Sequence, residues 1–595
     1  NDWGTFIDRN SDLVDWMSSE QRGRYYKNLG EMAWLRQKNG LAKVNFLRSY
    51  AFQKDSKVLR RLERLKATGS LKIDKYSKEF IEAADERKLW NKFSSSVKNG
   101  QTNRIAKYGA EFLNAFPGSQ RVDSVRDQVN RVYKRLLYRR GERFQLSKQN
   151  FENELMKAPP QYLLFWATEA YERGYQKSSF RLAKRAADRW EGTDEAAQAL
   201  LLAGRSAYYL VDRSSAKSFF TELTEKYSGS LASQEARYYL GLLYYREGDL
   251  NKMVKLYDEF LLSRGSDKWE LQVRYWLWRA LKKNGSRRSE EIGETILKEF
   301  PLTYYGLMVR MEDKGNLQSI FKSKDPAISS EAWWPKSLAS RVGRIQKLLK
   351  SGWVKEAETE IFYLPDPESA AGFVSRAKVW KKAGVFNRSI KDFAEAIDRD
   401  HSFLTSGVLK ESFPVDHQMD VEKAAKEFSM SPYLIWSIIR QESAFMKEAI
   451  SPSRAYGLMQ LLSPTARETA RWLKVKSFRM TRDIFKPEIN IRFGSHFLSR
   501  MIGKYKSVIP LAVASYNVGP GNLDRWLSHR TDLKNWAEFG ASPDDEMWVD
   551  ELPWAETSFY VKAVMRNYLL YQIIHNQLDR LESPAWKTAK IQTGK

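Results

Sequence analysis

Between about residues 160 and 305, apolar positions recur with a helical period, and the pattern itself recurs every 37 residues. Gly174, Val211, Gly248 and Gly285 stand 37 apart. Seven residues before them lie Ala167, Gly204, Gly241 and Trp278, and twelve after them lie Ala186, Leu223, Phe260 and Leu297. Gln198, Glu235 and Gln272, thirteen residues ahead of the last three markers, each open an apolar run that reads as helix. The unit is therefore helix, turn, helix. Looser copies surround Gly352 and Gly384, 32 apart. The pattern breaks across 398–416, which contains Pro414 and is the best candidate for a linker. Beyond it, Ser431 and Pro432 read as N-cap and first residue of a helix on which Ile435, Ile438, Ile439 and Glu442 share one face. A carboxylate thus continues an apolar stripe.

The clearest copy, 238–260, places Gly241, Tyr244, Gly248 and Tyr257 much as a tetratricopeptide repeat does, and the segment resembles that class at a slightly longer period. Such units cannot bury their apolar faces alone, and stacking them makes a curved solenoid. Residues 1–150 also read as helical, without a period, so a helical superhelix is expected over about 1–405.

Composition narrows the chemistry. The absence of Cys from the 595 residues excludes disulfides, thiolate zinc sites and a Cys nucleophile. The net charge of +26 calls for an acidic partner: nucleic acid, an anionic membrane surface or an acidic polymer. Of it, +21 lies in 1–411 and only +5 in 412–595. The cluster Arg131, Lys134, Arg135, Arg139, Arg140 and Arg143, interleaved with Tyr133 and Tyr138, is either a solvated helix face or a polyanion-binding stripe. No stretch approaches the ~20 apolar residues of a membrane span. A start at Asn1 fits an export signal already removed. The five His residues (401, 417, 496, 529, 575) are scattered without a zinc-binding motif, and no metal or other cofactor is expected. Gly519-Pro520-Gly521 reads as a turn before a helix rather than a nucleotide loop.

Glu442 lies near the end of its helix, where the dipole and partial desolvation both disfavour a carboxylate and raise its pKa, as a general acid requires. The structural alternative is a stripe-edge Glu paired with an Arg. After Glu442-Ser443-Ala444-Phe445 come Ser451-Pro452, then 455–460 (Ala-Tyr-Gly-Leu-Met-Gln), then Ser463-Pro464-Thr465-Ala466. Two further blocks are 515–521 (Ser-Tyr-Asn-Val-Gly-Pro-Gly) and 552–557 (Leu-Pro-Trp-Ala-Glu-Thr), the latter followed by Tyr560-Val561. In this order the motifs resemble the soluble lytic transglycosylases, peptidoglycan lyases whose catalytic domain is similar to goose-type lysozyme. The resemblance is strongest across 418–575, and the family's large members carry a ring-forming helical superhelix ahead of the domain. It implies Glu442 as acid/base and Ser443 as the residue orienting it. It also implies Gln460, Leu462, Tyr516, Asn517, Glu556 and Tyr560 at the glycan cleft. Three positions depart from the family pattern: Leu462 and Ser463 stand where Met and Pro are common, and Ser558 replaces an Arg after Glu-Thr, leaving Glu556 without its usual partner. Glu556 also fits a helix cap, and Tyr516 and Asn517 fit core and turn.

Most glycosidases flank the bond with two carboxylates. One suffices if Glu442 protonates the glycosidic oxygen, the sugar's N-acetyl group stabilises the cationic centre, and Glu442 then takes the proton of the C6 hydroxyl. The resemblance implies this route, ending in a 1,6-anhydro-N-acetylmuramoyl product. The expected architecture is all-α, with a U-shaped superhelix over 1–330, a helical linker domain over 331–411 that closes it, and a lysozyme-like catalytic domain over 412–595. The expected partners are peptidoglycan glycan strands and stem peptides, together with other cell-wall enzymes, for a periplasmic monomer that binds no nucleic acid. A hydrolytic muramidase, or a helical-repeat scaffold with an inactive terminal domain, are the alternatives.

Overall fold

The computed structural model describes residues 19–66, 75–138, 142–263, 267–313, 337, 339–530 and 547–575. Nearly all of these lie in helices, and no described helix is long and apolar enough to cross a membrane. The chain divides into two compact units, one of residues 1–170 and 178–199, the other of 171–177 and 200–595.

The first unit is helical throughout its described length, with one core formed by Ala33, Phe46, Leu47, Val58 and Leu62. It holds the basic cluster on the helix Val122–Tyr138. Tyr133 is fully buried there, stacked on Phe151 with its hydroxyl on Glu152 (3.1 Å), and Lys134 pairs with Glu169 at 3.1 Å. The interleaved tyrosine is core, while Arg131 and Arg135 are exposed. Arg139 and Arg140, and the side chain of Arg143, lie outside the described residues.

The 37-residue period is realised as four helix hairpins: Pro160–Glu172 with Gln176–Arg189, Asp194–Tyr209 with Arg213–Lys226, Leu231–Glu247 with Leu250–Leu262, and Asp267–Lys283 with Arg288–Glu299. Their markers share one backbone state: φ is +74° at Gly174, +61° at Val211, +78° at Gly248 and +67° at Gly285. A left-handed residue ends one helix and reverses the chain, which Gly does without strain and Val does not. The small residues before the turns make room for the partner helix. A Cβ at Gly204 would stand 2.6 Å from the Phe220 ring, and one at Gly241 would overlap Tyr257. Gly352 and Gly384 mark two more such hairpins, with φ of +77° and +72°.

The segment 398–416, expected as a linker, is a folded connector. It contains a short helix, Ser406–Ser412, and buries Phe403, Leu404, Val408, Leu409 and Phe413. Tyr571 donates to the Pro414 carbonyl (2.7 Å), and the Phe413 and Tyr571 rings meet edge to face at 5.1 Å. Apolar residues at 403, 404, 408, 409 and 413 are too closely clustered for a solvated tether.

Beyond it, the helices Gln418–Glu427, Pro432–Ser443, Pro487–Lys504, Ile509–Val518 and Ala555–Ile574 pack around a core in which Ile435, Ile438, Ile439, Val513, Val561 and Val564 are fully buried. Into this all-α frame is set a small antiparallel hairpin, Ala455–Tyr456 with Leu461–Leu462, which the helical reading did not anticipate. Strands of two residues are too short to show alternation in sequence.

Candidate active site

Glu442 sits in the last turn of the helix Pro432–Ser443, and Ala444, the next residue but one, closes that helix in the left-handed state (φ +45°). Phe445 continues left-handed at +67°, so the chain turns sharply away and leaves the Glu442 side chain partly accessible. Burial pushes the Glu442 carboxyl up to about 7, with the nearby Glu556 charge acting in the same direction and a hydrogen bond from Tyr560 opposing them. That bond, Tyr560 Oη to Glu442 Oε1 at 2.6 Å, is the shortest tie to the group. Tyr560 is itself buried, which with the adjacent Glu442 charge holds its phenol well above the ordinary value, so it stays a donor.

The remaining motif residues form a frame around this pair. The buried Ser443 hydroxyl donates to the carbonyls of Leu458 (2.9 Å) and Ile439 (3.2 Å), pinning the 455–460 loop to the Glu442 helix. Gln460, at φ +47°, uses its amide nitrogen on the carbonyls of Gly457 (2.8 Å) and Ala449 (3.1 Å). The Tyr516 hydroxyl, buried and close enough to feel the Glu442 charge, donates to the Met459 carbonyl at 2.8 Å. Asn517 Oδ1 accepts from Thr557 Oγ1 (2.7 Å), joining the end of one motif helix to the start of the other.

Glu556 lies one turn before Tyr560, in the first turn of the helix Ala555–Ile574, and is exposed. Among the described residues no basic side chain pairs with it. Leu462 is 46% exposed at the end of the hairpin. The structure thus brings Tyr560, Tyr516 and Glu556 into electrostatic reach of Glu442. Ser443, Gln460 and Asn517 are turned to backbone or neighbouring side chains, and Leu462 offers an exposed apolar side chain at the hairpin's end.

Two sets of residues at the site went unread in the sequence. Asn490, fully buried on the helix Pro487–Lys504, accepts from Met459 N (2.8 Å) and donates to the carbonyls of Tyr456 and Ile484 (both 2.9 Å). Its side chain fills the space that any Cβ at Gly457 (φ +78°) would enter. The second is Asp550-Glu551, just before Leu552-Pro553-Trp554. Buried Glu551 receives Tyr208 Oη (2.6 Å), Arg246 Nη2 (2.8 Å) and Arg530 Nη2 (2.6 Å), and its carboxyl is held well below the usual range, because the two guanidiniums outweigh the burial. Asp550 takes Trp276 Nε1 (3.0 Å), Lys562 Nζ (2.9 Å) and the Tyr305 hydroxyl. Tyr209 donates to the Leu552 carbonyl (3.2 Å) and Trp554 to that of Glu172 (3.2 Å). The repeat helices therefore clasp the segment that leads into the Glu556 and Tyr560 helix.

Residues 419–539 match the family model described as Transglycosylase SLT domain. Over this stretch the chain is similar to soluble lytic murein transglycosylases. A soluble lytic murein transglycosylase of Salmonella typhimurium is 29% identical over 175 residues, 29% of this chain and 26% of that protein. One of Escherichia coli is 27% identical over 157 residues, 26% of this chain and 23% of that protein. The chain thus spans about a quarter of the length of the curated relatives it matches. A crystal structure of an inactive variant of a lytic transglycosylase from Pseudomonas aeruginosa superposes with a TM-score of 0.54 at 17% identity, covering 96% of this chain and 89% of that one. That likeness concerns the fold alone.

Proposed function

We propose that the protein is a peptidoglycan lytic transglycosylase, with 412–595 as its catalytic domain and Glu442 as its single acid/base. The observation that carries this reading is the Glu442–Tyr560 pair: a carboxyl on an apolar helix face, pushed up to about 7, its Oε1 held at 2.6 Å by a phenol that remains protonated. A carboxyl that titrates near neutrality can give and take a proton with little mismatch in either direction.

In the first step the protonated Glu442 donates to the oxygen of the MurNAc–GlcNAc β-1,4 bond. The C1–O bond breaks, the GlcNAc hydroxyl leaves, and the 2-acetamido oxygen of MurNAc bonds to C1 in place of the departing electron pair. In the second, ionised Glu442 accepts the proton of the C6 hydroxyl, whose oxygen forms the new bond to C1 and returns the acetamido group. Atoms balance without water, and Glu442 ends protonated. Tyr560 orients the carboxyl and steadies its charge between the steps. Glu556, exposed and unpaired among the described residues, suits a contact to sugar hydroxyls, as does Leu462 to an apolar sugar face. Ser443, Gln460 and Asn517 act through the loop and helix ends they fix. The basic scaffold of 1–411 suits the carboxylates of stem peptides, and the periplasm is where this substrate lies.

Digestion of purified sacculi tests the reading. Anhydro products, one water lighter than the hydrolytic ones and free of label when formed in ¹⁸O water, are expected. Label at C1 of the muramic residue would make the enzyme a muramidase, and no release at all by the folded chain would leave a binding scaffold.

A further inference from the structure

A cleft of about 400 Å³ opens beside the helix Ala555–Ile574, between it and the helices Leu231–Glu247, Asp267–Lys283 and Tyr304–Asp313. At 3.6 residues per turn, Glu556 and Tyr560 share the face turned to Glu442, while Ala555, Ser558, Lys562 and Arg566, all in the cleft wall, share a face roughly a third of a turn round. Phe559 falls between the two faces. It stands three residues after Glu556, a neighbour on the helix surface, and it lines the cleft as well. Phe559 is 64% exposed, and its ring meets no other ring or cation among the described residues.

The charged groups of the lining are already engaged or open to solvent. Asp550 accepts from Lys562 Nζ (2.9 Å), Trp276 Nε1 (3.0 Å) and the Tyr305 hydroxyl, and Arg566 Nη2 donates to Asn567 Oδ1 (2.9 Å). Lys268 lies exposed, 5.0 Å from the centre of the Trp269 ring. The cleft therefore does not select its occupant by charge. What it leaves unpaired is neutral. The Ser558 hydroxyl, the Gln272 amide and the Trp269 indole N–H make no hydrogen bond among the described residues. Neither does the buried hydroxyl of Tyr238, whose ring stacks on Trp269 at 4.7 Å.

An apolar occupant would enclose these groups without partners, at about 1–3 kcal/mol for each one left so. A compact ion would leave the aromatic wall of Trp269, Tyr304 and Phe559 uncovered. A sugar ring with hydroxyls and an acetamido arm meets both demands, with C–H faces for the rings and neutral donors and acceptors for the side chains. We propose that this cleft holds an N-acetylated amino-sugar unit of the glycan strand beyond the reacting pair, and that Phe559 is the platform over which the strand passes from Glu556. The inference rests on the reading of the chain as a glycan-cleaving enzyme.

Calorimetric titration of the full chain at pH 7 with the β-1,4-linked GlcNAc hexamer tests it, the mass of the sugar being checked afterwards for cleavage. The hexamer is expected to bind. Phe559→Ala and Gln272→Ala should each weaken it about three- to tenfold, the worth of one aromatic or hydrogen-bonded contact. Phe559→Tyr, which keeps the ring, should bind as the wild type does. Phe559 is exposed and the Gln272 side chain unpaired among the described residues, so all three variants keep the fold. The proposal is overturned by no binding of the hexamer, by affinity unchanged in Phe559→Ala and Gln272→Ala, by an equal loss in Phe559→Tyr and Phe559→Ala, or by the dipeptide N-acetyl-alanyl-alanine binding through Phe559 in the sugar's place. Cleavage is not the readout, so a chain that binds the hexamer through Phe559 but releases hydrolytic products from sacculi would keep this site while the lytic route fails.

Discussion

Replacing Glu442 by Gln should stabilise the protein at alkaline pH while abolishing turnover, and the size of the effect follows from the site. The ordinary value of such a carboxyl is 4.5, and in the fold it rises to about 7. Below pH 4.5 the group is neutral in folded and unfolded chains alike, and it costs nothing. Above 7 it is charged in both, and the folded state bears the full penalty of enclosing the charge. At about 1.4 kcal/mol per pH unit, the stability lost between those limits is about 3 kcal/mol. Gln does not titrate, and its carbonyl still accepts from Tyr560. The stability of Glu442→Gln minus that of wild type should therefore rise by about 3 kcal/mol from pH 4 to pH 8, with the steepest change between 5 and 7. Urea unfolding of both proteins across that range measures it, and the subtraction at each pH removes the titration of every group the two share. A difference independent of pH would mean that Glu442 is no more buried than a surface carboxylate, and the acid role would lose its physical basis. Sacculus digestion by the same variant should fall by ~10²- to 10⁴-fold, the usual worth of a positioned proton donor.

Tyr560→Phe removes the hydrogen bond that favours ionised Glu442, so the alkaline limb of kcat/KM should move up by about one pH unit; a pH–rate profile with an unmoved limb refutes the role of the pair. Val211→Gly relieves a β-branched residue at φ +61° and should stabilise by roughly 0.5–1 kcal/mol, read from the urea midpoint. Asn490→Ala strands the Met459 N–H and two carbonyls, and should cost about 3 kcal/mol or more and lower kcat, measured on the purified variant. Glu551→Ala leaves Arg246 and Arg530 enclosed without a counter-charge and should cost about 3–5 kcal/mol by the same unfolding assay.

The features legible in the sequence are those with local causes. A turn residue every 37 positions was readable because each hairpin needs the same left-handed reversal, and even Val211, the departure from glycine, kept the conformation. Glu442 was readable because a helix face is written at spacings of three and four. Its partner was not separable in the same way: Tyr560 lies 118 residues along the chain, and only its place in a motif marked it for the cleft. Asn490 carried no signal, since a buried amide serving three backbone groups looks like any helical Asn. The connector 398–416 was misread because a short helix flanked by turn residues mimics a tether until the partner helix supplies Tyr571.

The clasp on Asp550 and Glu551 was beyond reach for the same reason, with partners 245 to 343 residues away. It leaves one trace in the sequence: Tyr171, Tyr208 and Tyr245 share the 37-residue spacing, on the turn-ward ends of successive first helices. Tyr208 holds Glu551 directly, while Tyr245 packs edge to face on Trp276, which holds Asp550. Hence the repeats do more than add positive charge. Through Arg246 and Trp276, joined by Tyr305 of the next helix, Tyr304–Asp313, they hold the segment 547–554, whose end sets the start of the helix bearing Glu556 and Tyr560. Deleting the repeats would strip two buried carboxylates of their donors and disturb that helix start. A drop in activity after such a deletion would then confound substrate capture with active-site support. Neutralising exposed lysines and arginines of the scaffold one face at a time, with the clasp intact, separates the two, because exposed charge attraction is screened by salt over ~8–10 Å while the enclosed Glu551 pairs are screened much less.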